Sequence, residues 1–327
     1  MTTDATVPPR GGQPMPPPEV DVYERRSRFF MGHMPRPDLD LLKGAIDMHA
    51  HTHPALFKRP IDDMDLAQIA MEYGMRGFVL KDHDSPTTGR AYFVKKMYPE
   101  VEAVGAVVLN RSVGGINPYV VQAAIQYGAR VIWMPSNHSK WHADYFKISD
   151  YPQLGRRQKQ LPGPGVTVLD ENGRITPETL TILDLIAEAD VCLATGHLSL
   201  EEIRILQDEA NRRGITKFLV THANWALCRL EPDVQKELIQ KGAYLEYVAV
   251  SCSSPIFFEQ NPSELAEWIN QLGSDRLILS SDLGQYSAPP HPEGMRMLIA
   301  ALLDHGVPYD SLEQMTKGNP PKLLNLE

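Results

Sequence analysis

Eight short apolar or β-branched runs alternate with longer segments of helical period from Ala45 onward, and this alternation restricts the chain more than any other feature of it. The runs are AIDMH (45–49), GFVLK (77–81), AVGAVVL (103–109), RVIWM (130–134), DVCLA (190–194), KFLVT (217–221), AYLEYV (243–248) and RLILSS (276–281). Several follow a glycine that ends the preceding helix, as in EYGMRG, QYGAR, RRGITK, QKGAY and QLGSDR. This alternation is the pattern expected of a parallel sheet, whose neighbouring strands need crossover connections of that length. Eight such units predict an α/β fold of the (β/α)8 TIM-barrel type, with a doubly wound open sheet as the structural alternative. The stretch from Pro135 to Thr181 is too long for an ordinary connection. It contains VTVLDENGRIT, two apolar arms around an Asn-Gly turn, and predicts a β-hairpin inserted after strand 4 and lying over the barrel mouth. The proline-rich start, residues 1–40, reads as an extended arm, and residues 41–327 as the barrel domain.

Barrel enzymes place their chemistry at the C-terminal ends of strands, so the polar residues there are the ones to weigh. The first run continues as IDMHAH, which sets His49 and His51 on the same face of a strand, where both reach one cation. Strand two ends in Lys81, Asp82, His83 and Asp84, strand three in Asn110 and Arg111, and strand four runs into Asn137 and His138. Strand five ends at His197, strand six at His222 with Asn224 beyond it, and strand eight at Asp282. Of the 11 histidines, those at 49, 51, 53, 83, 138, 142, 197 and 222 fall at or just after these ends, and joint placement of this kind points to metal binding more than any one residue does. The segment GQYSAPP after Asp282 is a poor helix start, so a capping role for that carboxylate is weaker than a ligand or general-base role.

Composition removes several classes of function. A net charge of -9 without a Lys/Arg-rich run argues against a nucleic-acid surface, since phosphate neutralisation needs clustered positive charge. Three cysteines, Cys192, Cys228 and Cys252, lie too far apart for a disulfide framework or a metal knuckle. No basic, apolar leader opens the chain, and no run approaches the roughly 20 apolar residues of a membrane helix. The expected setting is cytoplasmic, with a small-molecule substrate, no nucleic acid, no membrane, and a homo-oligomeric assembly.

The HxH at His49 and His51, the later His197 and His222, the terminal Asp282 and the closing TKGNPPKLLNLE together resemble the amidohydrolase superfamily of metal-dependent (β/α)8 enzymes, over nearly the whole span from Ala45 to Leu326. The resemblance implies a divalent cation, zinc or manganese, held by His49, His51, His197, His222 and Asp282. It further implies hydrolysis of a C–N, ester or lactone bond by activated water, with Asp282, His222 and Lys81 as catalytic residues. Strand four lacks the lysine or glutamate that bridges two metals in binuclear members, which points to a mononuclear site. The segment VLKDHDSPTTG is also similar to one in the polymerase and histidinol phosphatase (PHP) family of phosphoesterases, and adds His83 to the candidate ligands. Lys81, Arg111, His138, Lys140, His142 and Asn224 are candidates for substrate binding, and the cations among them suit an anionic, cyclic or aromatic substrate. Decarboxylation or hydration of an aromatic or unsaturated acid on the same metal site, and a non-catalytic metal- or ligand-binding barrel, are the remaining alternatives.

Overall fold

A computed structural model describes residues 35–147, 163–228, 230–253 and 259–327. The proline-rich arm lies outside the described residues as far as residue 34. Strands and helices alternate through the rest, and Pro37–Glu327 form one compact unit. The strands are β1 (Ile46–Ala50), β2 (Gly77–Leu80), β3 (Glu102–Val104), β4 (Ala106–Val108), β5 (Val131–Trp133), β6 (Cys192–Ala194), β7 (Phe218–Val220), β8 (Tyr244–Val248) and β9 (Leu277–Ser280). Between and around them run α1 (Pro37–Leu42), α2 (Asp63–Glu72), α3 (Thr88–Met97), α4 (Pro118–Gln126), α5 (Lys140–Phe146), α6 (Pro177–Ala189), α7 (Leu200–Arg212) and α8 (Pro232–Gln240). The last helices are α9 (Val250–Ser253), α10 (Pro262–Leu272), α11 (His291–Asp304), α12 (Tyr309–Glu313) and α13 (Asn319–Leu324). Among the described residues no helix is long and apolar enough to cross a membrane.

All strand pairs are parallel, in the orders β1-β2-β3 and β4-β5-β6-β7-β8-β9. The third predicted strand is thus split in two, and the split has a local cause. Thr87, in the loop before α3, takes the Ala106 amide on its hydroxyl and donates its own amide to the Ala106 carbonyl, both at 2.9 Å. Gly105 permits this approach, since a Cβ there would stand 2.5 Å from the Thr88 Cα. At the other edge, the chain just beyond β9 bonds to β1 and its continuation: Asp282 N to His49 O at 2.8 Å and His51 N to Leu283 O at 3.0 Å.

Two buried layers divide the apolar residues. One takes Ile46, Met48, Val79, Val104, Val131, Trp133, Cys192, Leu219, Tyr244 and Ile278 from successive strands, closed at one end by Leu323 and Leu324 of α13. The other lies between strands and helices and holds Phe78, Leu80, Ile132, Leu193, Phe218, Leu245 and Leu279 with the inward sides of the helices. The period of two along each strand produces both layers. Strand β1 departs from that period: its register with β2 shifts between Asp47 and Ala50, and Ala50 joins the helix-side layer while Ile46 and Met48 lie in the strand-side one.

The predicted hairpin reduces to one antiparallel bridge, Leu169 to Ile175, around a turn in which Asp170 accepts from the Asn172 and Arg174 amides. Asp170 satisfies the turn through its side chain, so no two-stranded ladder is needed there. Residues 148–162 of the insertion lie outside the described residues.

Candidate metal centre

His49 and His51 stand at the end of β1, and Asp282 follows β9, in the segment whose backbone bonds to the end of β1. The Nε2 atoms of both histidines lie 3.0 Å from Oδ1 of Asp282, and the two buried histidines and the partly exposed carboxylate form a group whose ligand atoms fall within 4.8 Å of one another. Asp282 reaches this place with a left-handed backbone, φ 49°, which turns its carboxylate back over β1. Burial alone would raise its pKa, but His49 and His51 outweigh burial and hold the carboxyl well below its usual range.

The remaining ring nitrogens of the two histidines are already committed. His49 Nδ1 donates to Glu246 Oε2 at 3.1 Å, and His51 Nδ1 donates to the Lys81 carbonyl at 2.8 Å. Both partners can only accept, so each ring keeps a proton on Nδ1, and its Nε2, which faces the Asp282 carboxylate, would turn a lone pair to a cation held between them. This is how second partners fix metal-binding histidines, and Nε2-to-oxygen separations of 3.0 Å suit donors about 2.0 to 2.2 Å from one shared ion. The residues present therefore fit a divalent cation.

Lys81 lies inside the cluster, not on its rim. Its Nζ stands 2.9 Å from His49 Nε2 and 5.1 Å above the Trp133 ring, and burial pulls its pKa down to about 8 against the opposing pull of Asp282 and Glu246. His222, also left-handed at φ 34°, is 1% exposed with neither ring nitrogen hydrogen-bonded. Its ring lies 6.1 Å from that of His49 and 4.8 Å from that of His197, and burial lowers its pKa to about 3. Orphaned, neutral nitrogens in this position are free to accept a cation or a proton. His197 Nδ1 meets His142 Nδ1 at 2.7 Å. His83 stacks on His51 with ring centres 4.7 Å apart, while its Nδ1 engages Ser136 Oγ at 2.9 Å.

The other candidates divide sharply. His138 and His142 are buried beside the cluster, His138 with its amide on Asn110 Oδ1. Arg111 is half-buried and turns to the Pro164 carbonyl at 3.4 Å, within the insertion. Lys140 points away: it is 63% exposed and pairs with Asp144 one helical turn on at 2.6 Å. Asn224 is consumed by the backbone, exchanging two hydrogen bonds with Val248 at 3.0 and 3.3 Å, so its amide holds the end of β8. Asp82, in the segment similar to the PHP motif, binds Arg90 at 3.1 Å and the Asp84 amide, and does not join the ligand group.

Two acids at the centre escape a reading based on strand ends. Glu246 sits within β8, fully buried, with Oε2 accepting from His49 Nδ1 and the His222 amide. The only sign in the sequence is its place in YLEYV, on the same strand face as Tyr244 and Val248. Asp47 accepts the His49 and Ser281 amides on Oδ1 and leaves Oδ2 without a partner, and burial pushes it up to about 6. Arg59, also buried, is one of the charges that hold His51 and His83 neutral, after burial itself.

The fold is similar to those of several solved structures, among them an amidohydrolase from Pseudomonas aeruginosa, 11% identical with a TM-score of 0.57, covering 89% of this chain and 98% of its own. An organophosphorus hydrolase variant is 15% identical with a TM-score of 0.57, covering 88% of this chain and 94% of its own. A probable dipeptidase, PvdM, from Pseudomonas aeruginosa is 11% identical with a TM-score of 0.59, covering 89% and 99%. A 2,6-dihydroxybenzoate decarboxylase is 10% identical with a TM-score of 0.52, covering 87% and 100%. No curated protein is matched by the sequence. A sequence family spans residues 44–246, from the strand that carries His49 and His51 to Glu246, and the chain belongs to it: the family of unknown function DUF6282.

Proposed function

We propose that the protein is a metal-dependent hydrolase that cleaves a C–N, ester or lactone bond of a small anionic substrate with a cyclic or aromatic body. The observation that carries this reading is the convergence of two Nε2 atoms on Asp282 Oδ1, with both Nδ1 atoms already tied down. His49, His51 and Asp282 would hold the cation, zinc or manganese, with His222 and His197 next in reach. When bound, such an ion supplies Lewis acidity that polarises a substrate oxygen and acidifies water.

The chain's own residues supply the rest. Asp282, partly open to solvent at 16% exposure, receives a proton at its carboxylate and returns it to the leaving group. His222, its ring 6.1 Å from that of His49, offers a nitrogen without a hydrogen-bond partner. Lys81 and Arg59 place positive charge beside this pocket and suit a substrate carboxylate. Trp225, 4.9 Å from His222, and Phe57, 5.7 Å from His83, give the wall an apolar side that suits a planar ring.

A closed eight-stranded barrel, with β3 and β4 as one interrupted strand, is part of the same reading and is supported by the bonds that join the chain after β9 to β1. A homo-oligomer is supported by exposed Tyr92, Phe93 and Met97 on α3 and Tyr119 and Tyr127 beside or on α4. The cytoplasmic setting stands on the sequence argument alone.

The test is metal content by plasma mass spectrometry on protein purified without added metal, with turnover on a panel of lactones, amides, phosphate esters and aromatic acids. The expected result is roughly one ion per chain, absent from His49→Ala, and hydrolysis that falls about 10²- to 10⁴-fold in Asp282→Asn while much of the metal stays. Two or three ions would favour the phosphoesterase alternative, and CO2 release from an aromatic acid the decarboxylase. A metal-free protein indifferent to chelator would end the catalytic reading.

A further inference from the structure

The insertion between β5 and β6 delivers a histidine to the cluster that the proposed reaction does not use. His142 is the third residue of α5 and is 2% exposed. Its ring stacks on that of His197, centres 4.8 Å apart and planes 16° from parallel, with Nδ1 2.7 Å from Nδ1. Phe146 lies 4.7 Å from the His142 ring, and Trp225 lies 5.3 Å from the His197 ring. One hydroxyl fastens the two backbones: Ser139 Oγ accepts the His142 amide at 2.9 Å and donates to the His197 carbonyl at 2.6 Å.

Two imidazole nitrogens at this distance need one proton between them, donated by one ring and accepted by the other. The neighbouring histidines indicate which ring donates. His49 gives its Nδ1 proton to Glu246 and His51 gives its own to the Lys81 carbonyl, so in both rings Nε2 is the atom left to face the cluster. His197 has the same Nδ1 engagement, with an imidazole in place of an oxygen. We propose that His142 is a positioning residue whose Nδ1 accepts the Nδ1 proton of His197, holding His197 in the tautomer that presents a bare Nε2. This rests on the metal-centre reading only for its purpose, since a lone pair at Nε2 is what a cation or a transferred proton requires. It makes α5 part of the site's machinery.

The direct test needs no metal. In chelator-treated protein labelled with ¹⁵N-histidine, long-range ¹⁵N–¹H spectra report which nitrogen of each ring is protonated. The expected result is Nδ1–H for His197 in the wild type, a change toward Nε2–H in His142→Leu, and retention in His142→Asn, whose amide oxygen replaces the acceptor. Zinc affinity, measured by competition with a chromogenic chelator, should fall about 10- to 100-fold in His142→Leu and recover to within a few-fold in His142→Asn. Wild-type His197 protonated at Nε2 would overturn the proposal, and so would His142→Asn failing to restore what a folded His142→Leu loses. Should His142→Leu not fold, the wild-type tautomer and His142→Asn still decide. Absence of zinc uptake by the wild type would overturn the metal-centre reading instead, leaving the tautomer to be judged by itself.

Discussion

Asp47 shows what a single buried carboxyl does to this protein when its second oxygen has no partner. Burial pushes its pKa from 3.8 up to about 6, although the Ser281 and His49 amides pull the other way. Between those two values the unfolded chain has released a proton that the folded chain keeps, so stability falls as pH rises through the window and the deficit is complete above about 6. A shift of that size corresponds to about 3 kcal/mol. Asn at this position keeps the oxygen that accepts both amides and removes the ionisation. Urea unfolding of metal-free Asp47→Asn should therefore gain on the wild type by up to about 3 kcal/mol between pH 4 and pH 7.5. A constant difference across that range would mean that Asp47 titrates in the folded protein as it does in the unfolded chain. At this same scale the sequence is uneven. His49, His51 and Asp282 are visible because they end apolar runs, whereas Lys140 finds Asp144 on its own helix and Asn224 finds a backbone partner on β8, neither of which strand-end placement reveals.

At the scale of elements, the segment after β9 and the end of β1 are fitted so closely that one glycine controls both. Gly284 has φ 126°, and a Cβ there would stand 2.1 Å from the His51 carbonyl oxygen, on which the His291 ring also donates at 3.0 Å. Gly284→Ala should cost on the order of 2 kcal/mol or more through backbone strain and displacement, and should release bound metal by moving His51. Gly173 is the control, since it has φ 72° but nothing within 4 Å of its Cβ position. Denaturation midpoints and zinc content of the two alanine variants compare strain alone with strain beside the site. Equal stability and equal zinc content in both would show that the fit at Gly284 has no part in holding His51. The capped helices, by contrast, follow from local sequence: Asp62 and Asp65 close a capping box on α2, and Ser199 and Glu202 close one on α7.

For the whole molecule, the ligand set joins chain segments separated by more than 200 residues, so a cation held there links the first strand to the last. Zinc at about one hundred times its dissociation constant should raise the unfolding free energy by about 2.7 kcal/mol, and should do nothing for His49→Ala. Unfolding in buffered zinc and in chelator measures this, and the same gain in both proteins would place the ion elsewhere. The sequence by itself determined the order of strands and helices and the presence of His49, His51, His197, His222 and Asp282 at strand ends, because periodicity and glycine stops act over a few residues. The split at Gly105 and the central place of Glu246 depended on contacts between segments distant in the chain, and the reduction of the hairpin to one bridge on the side-chain turn at Asp170. Tertiary structure alone decided which ring nitrogens face the cluster, because the partners that occupy Nδ1 of His49, His51 and His197 come from 197, 30 and 55 residues away and meet them only once the chain has folded.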